Sequence, residues 1–159
     1  MVLVESSHEG QRAVLDRLLP RRARLQVALT IPTIIRESRQ ARHGGDRRSI
    51  IREWRTFRQV TAAGRPVLPP GGLGARPLAV LTCALGNPAV PEPVYRAWHG
   101  LHRDLAGLSS NSRHVVSASP DHYLNFGDQE LVIEAVRDVI RAARSGRPLA
   151  ELVAASDAE

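Results

Sequence analysis

His122 is the residue of this chain best placed to move a proton. It stands in D-H-Y-L-N-F (121–126), between the β-branched pair Val115 and Val116 and a segment with the marks of a helix. Imidazole is the side chain that titrates near neutrality, so it is the natural general base or acid. A carboxylate on one ring nitrogen would set its tautomer and leave the other nitrogen to react. Glu5 ends the apolar run M-V-L-V, and Glu92 opens a Pro-rich helix, where a carboxylate is explained by the helix dipole. His99 and His102 are three apart on a helical segment. They lack a third ligand at a suggestive spacing, so they read as rim or solvated histidines and no metal is implied. His8, in S-S-H-E-G-Q, reads as a surface histidine, with pocket lining as the alternative. Cys83 is the single cysteine and has apolar neighbours, which suits a small core residue rather than a nucleophile. The glycines of 71–74 precede a candidate strand instead of following one, so no nucleotide and no other cofactor is implied.

These residues need elements to hold them. Residues 1–5 and 78–85 are short apolar runs suited to strands of a buried parallel sheet, and the β-branched pair Val115 and Val116, between polar neighbours, suits a third. Pro91 and Pro93 open a helix with a stripe at Val94, Trp98, Leu101, Leu105 and Leu108. Asp128 is placed to cap a second helix, whose stripe reads Val132, Val136, Val139 and Ala143. Arg141 and Arg144 suit its last turn, and Gly146 its end. Strand, helix, strand, helix predicts a βαβ unit with one more helix, and hence an α/β fold with a short parallel sheet of about three strands. Residues 11–19 form a helix stopped by Pro20. Further helices are expected over 33–42 and 47–63, the latter with Ile50, Trp54, Phe57 and Thr61 on one face. The expected organisation is a first strand and loop over 1–10, helices over 11–65, a Gly/Pro linker over 66–77, the βαβα core over 78–146 and a frayed tail over 147–159.

The order strand, D-H-Y-L-N-F, D-Q-E-L-V-I-E-A-V resembles the C-terminal histidine region of the α/β-hydrolase fold, where G-H-Y and D-Q-P-E-L-V are common. Asp121 departs from that pattern, standing where glycine is usual. The likeness extends back through residues 76–86 and weakly to Met1. The resemblance implies a partial α/β-hydrolase fold in which 1–5 is the sixth strand and 11–65 a lid-like insertion. It makes His122 the general base of a nucleophile–histidine–acid triad. Its usual place for the acid, after the seventh strand in T-C-A-L-G-N-P-A-V-P-E-P (82–93), offers only Glu92, and its other place, the end of the sixth strand, holds Glu5, which is preferred. The fold's nucleophile elbow, G-x-S-x-G, is absent from the sequence, and Ser6–Ser7 and Ser109–Ser110 lack its glycines. The chain therefore reads as a hydrolase of ester or related bonds truncated at its N-terminus. It is inactive alone and acts on a small ester-like substrate once completed by an N-terminal half. The alternatives are a non-catalytic partner protein and an Arg-rich nucleic-acid-binding module.

Charge bears on the last of these. The net +6 comes from 22 basic residues, all arginine, against 16 acidic ones. Residues 1–76 carry +9 and residues 77–159 carry −3. Arginine without lysine, beside abundant Ala, Gly and Pro, points to GC-rich codon choice, so nucleic acid is the less economical partner. No stretch reaches the roughly 18 apolar residues of a membrane span, and no signal peptide precedes the first strand, which makes cytoplasm the default location. An unpaired first strand offers an open sheet edge for self-association.

Overall fold

The structure, a computed structural model, describes residues 1–6, 8–22, 52, 55, 56, 59, 68–84 and 91–156. The chain divides into two compact units, one of residues 1–8 and 66–159, the other of residues 9–65. In the second unit, α1 (Gln11–Leu18) ends just before Pro20, and residues 52, 55, 56 and 59 are helical. The helix expected over 33–42, and the stripe of Ile50, Trp54, Phe57 and Thr61, lie outside the described residues.

The first unit is built on three parallel strands in the order β1 (Val2–Val4), β2 (Leu78–Thr82), β3 (Ser112–Val116). Val2 pairs with Ala79 and Leu78 with Ser112, so β2 is bonded on both sides. It is buried throughout, which explains its unbroken apolar run. Side chains alternate across it. Leu78 and Val80 meet Leu105 and Ala106 of α2 (Glu92–Ala106) on one face. Ala79, Leu81 and Cys83 meet Leu124, Ala135, Val139, Ala142 and Leu149 on the other. Helices thus cover both faces of a small α/β sheet. β3 is an edge strand, and Val116 is exposed rather than buried as its type suggested.

After β3 the chain makes one short turn of helix, α3 (Leu124–Gly127), then the 17-residue α4 (Gln129–Ser145). Asp128 caps α4 as expected, accepting the Leu131 N–H, and Gly146 ends it in a left-handed conformation at φ 69°. The buried face of α4 is not the stripe expected. Ala135, Asp138, Val139 and Ala142 turn inward, while Val136 and Ala143 face solvent. Asp138 explains the rotation. It is buried, bonded to Arg113 of β3 at 3.4 Å and to Arg141, and so ties helix to sheet through an ion pair that an apolar count cannot see.

Two further expectations are corrected. The tail is not frayed throughout: α5 (Leu149–Ser156) docks on the sheet, with Leu149 1% exposed and its N–H on Asn111 Oδ1 at 2.7 Å. The described part of the linker is stitched down. The Gly71 and Leu73 amides donate to the Gly107 and Leu108 carbonyls at 2.9 Å, and Ser109 Oγ donates to the Arg76 carbonyl at 2.6 Å. Among the described residues no helix is long and apolar enough to cross a membrane.

Replacing Leu149 by Ala deletes a side chain wholly inside the core. The variant should lose about 2–5 kcal/mol in urea unfolding, whereas a freely fraying tail would show no change.

Candidate functional site

The three strands end on the same side of the sheet, and the loops there carry the chemistry. Glu5 follows β1 directly, with its amide still bonded to the Leu81 carbonyl at 3.0 Å. Its φ of 45° is a left-handed conformation that costs a non-glycine residue about 1 kcal/mol or more. That backbone turns the side chain inward, where it is 4% exposed. The carboxylate accepts hydrogen bonds from the Cys83 amide just past β2, from Trp98 Nε1 on α2 at 3.0 Å, and from His122 Nδ1 at 2.9 Å. Three separate parts of the chain thus converge on one carboxylate.

The His122 loop holds itself in place by short side-chain turns. Ser117 Oγ accepts from the Ser119 amide, Ser119 Oγ from the Asp121 amide, and Asp121 Oδ1 from the Tyr123 amide at 2.8 Å. Ser117 Oγ also donates to Asp128 Oδ2 at 2.5 Å, joining the loop to the cap of α4. Gly127 lies against this loop so closely that a Cβ would fall 2.8 Å from the Asp121 Cβ. Asp121 is therefore a structural member of the loop.

The protonation states follow from the partners. Burial by itself raises the Glu5 carboxyl, but the bonds from His122, Cys83 and Trp98 more than offset it and hold the group below its ordinary value. The bond to Glu5 raises His122 above its ordinary value against an opposing effect of burial, with the Glu5 and Asp121 charges adding to the rise. Nδ1 then carries the proton facing Glu5. The His122 side chain is 59% exposed, which leaves Nε2 as the nitrogen that can exchange a proton with an incoming group. Glu92 is paired elsewhere, with Arg96 at 2.6 Å on the exposed start of α2. Glu5, not Glu92, is the carboxylate that meets His122.

Cys83 lies beside the pair, and Glu5, Cys83 and His122 each bring a possible metal-ligating atom within 4.8 Å of the others. Burial and the neighbouring carboxylate push the Cys83 thiol up to about 12. Both carboxylate oxygens already hold N–H donors, so a cation would have to displace them. The group is arranged to hold a proton.

The remaining histidines correct the sequence reading. His102 is completely buried, not solvated. Its Nε2 lies 2.9 Å from the Ser6 carbonyl, which can only accept, so that nitrogen carries the proton. Its Nδ1 must then accept from Thr82 Oγ1 at 2.6 Å, and Thr82 in turn accepts from His114 Nε2 at 2.8 Å. The result is an ordered chain from His114 through Thr82 and His102 to the backbone next to Glu5. Burial lowers both His102 and His114 below the ordinary histidine range. His99 Nε2 donates to the Cys83 carbonyl at 3.0 Å, and His8 is half-buried beyond β1. Trp98, Thr82 and His114 were missed as site residues. Trp98 alone carried a signal, since a tryptophan on a buried stripe needs an acceptor for its N–H.

Compared with known proteins, the chain matches no family model, no curated protein and no solved structure.

Three outcomes follow from this geometry. In Glu5→Gln, the His122 imidazole should titrate lower than in the wild type when followed by NMR at its Cε1 proton; an unchanged titration would break the assigned pairing. The wild-type pair also gives stability a definite pH dependence. The His122 share is complete below about 6.5, the unfolded histidine value, and fades as pH rises through the elevated folded value. The Glu5 share fades as pH falls through its depressed value. Thr82→Val keeps the shape but strands His102 Nδ1 and the His114 proton, and should cost about 1–3 kcal/mol in urea unfolding. A neutral result would disprove the ordered chain.

Proposed function

We propose that Glu5 and His122 are the acid and base of a nucleophile–histidine–acid triad, in a chain whose sheet and histidine region are those of an α/β-hydrolase. The observation that carries this reading is the 2.9 Å bond from His122 Nδ1 to a carboxylate buried at the end of the first strand. That bond presents Nε2 outward as a base. Support also comes from the order of the elements, with histidine on the loop between the last strand and a capped helix. In chain order residues 9–65, a compact unit of their own, follow the strand that bears the acid, where such a fold inserts its lid.

His122 is the general base and Glu5 holds its tautomer and stabilises the imidazolium that forms. Cys83, with its thiol pushed up to about 12, does not serve as the nucleophile. G-x-S-x-G is missing from the sequence, so the attacking group comes from another polypeptide segment, upstream of this one or on a partner chain. The substrate class is a small ester or related acyl compound, and no cofactor takes part.

The test pairs the purified chain with the product of the coding sequence directly upstream. The chain alone should leave p-nitrophenyl acetate unhydrolysed above the buffer rate. The completed protein should hydrolyse it and lose activity on the order of 10³-fold or more in His122→Ala. Turnover by the chain alone that disappears in His122→Ala would show a nucleophile within it. Full activity of the completed His122→Ala protein would refute the triad.

A further inference from the structure

We propose that α4 is a self-association face, on which the same helix of a second copy packs antiparallel about a twofold axis. The inference is independent of the triad and rests on the side of α4 turned away from the sheet. There Ile133, Val136 and Ile140 are 41%, 40% and 43% exposed, and Ala143 continues the line in solvent. Their spacing of 3, 4 and 3 residues makes one straight stripe, since residues three and four apart share a helix face. Single exposed apolar residues need no explanation, but a continuous stripe of large β-branched ones on a 17-residue helix does. The stripe ends at Ala143 on the rim of an open groove of mixed character, lined by Leu73, Arg76, Pro77, Asn111 and Gly146.

The charges beside the stripe name the occupant. Glu130 and Glu134 lie in the first half of α4 and Arg137, Arg141 and Arg144 in the second, along the same flank. A twofold axis perpendicular to the helices brings like flanks together while reversing their direction. Ile133 then meets Ile140 of the second copy, Val136 sits at the axis, and Glu130 faces Arg144. The pattern is complementary to itself, as an isologous interface requires. In a parallel pairing the twofold axis runs along the helices and puts the two charged flanks on opposite sides of the interface, so Glu130 and Arg144 would find no counterpart. The two Arg137 side chains meet near the axis and are the one unfavourable contact, so the association is weak, with a dissociation constant of about 10 μM.

Sedimentation equilibrium of the full chain tests this. A monomer–dimer equilibrium is expected, with Ile140→Asp raising the dissociation constant about tenfold or more and leaving the melting curve unchanged, because the residue is off the core. Glu130→Arg and Arg144→Glu should each weaken the dimer about two- to fivefold, and the double variant should recover it. A monomer at concentrations far above the expected constant would overturn the proposal. So would a dimer indifferent to Ile140→Asp, which would place association at a sheet edge, and so would a double variant weaker than either single one.

Discussion

The buried carboxylate of Glu5 is the constraint around which the carboxyl end of this sheet is arranged. An ionised group taken out of water costs several kcal/mol unless its oxygens are bonded. Here the compensation comes from three donors on three different elements: an amide past β2, an indole on α2 and an imidazole on the loop after β3. Removing any of them would leave a buried charge short of a partner. The backbone turn at Glu5, with its positive φ, is the local cost of aiming the side chain inward. Strain of about 1 kcal/mol persists at such a position only because the convergent hydrogen bonds over-determine it.

The same carboxylate separates two histidines of one chemical type into two behaviours. His122 meets Glu5 directly and keeps half its ring in solvent, so the charged form is favoured and the free nitrogen is accessible. His102 is fully buried and offers its proton to a carbonyl, so desolvation prevails and the neutral form is held. Coulombic attraction from Glu5 pulls His102 toward the charged form too, but it is the smaller effect. Environment alone thus assigns one imidazole to proton exchange and the other to structure.

The strands and the central helix pair were legible in the sequence, because each depends on short-range pattern, whereas the choice of Glu5 for His122, 117 residues away, rested on a resemblance to a known fold. A continuous apolar run marked β2, Asp128 and Gly146 marked the two ends of α4, and Glu5 stood at the end of its strand. What escaped depends on long-range partners. The buried face of α4 is rotated by Asp138, whose partner Arg113 is 25 residues away. The order in 149–156 comes from Leu149 entering a core assembled elsewhere and from Asn111, 38 residues earlier. His102 was read as a rim residue because helical spacing cannot reveal a threonine on the neighbouring strand. The helices expected over 33–63 rest on periodicity, and most of that segment lies outside the described residues.

The position of Asp121 bears on how the loop is built. Glycine at such a place would leave the chain free to turn, and the loop would need other means to hold the histidine. Aspartate instead accepts the Tyr123 amide while its own amide is taken by Ser119. The turn before His122 is thereby closed by side chains on both sides. The same carboxylate adds to the electrostatic support of the imidazolium from the solvent side, opposite in burial to Glu5. Gly127 is then the residue that must be small, because a Cβ there would fall 2.8 Å from Asp121 Cβ and Ser119 Oγ of the ordered loop. The residue without a side chain that this loop requires stands at the end of the following helical turn.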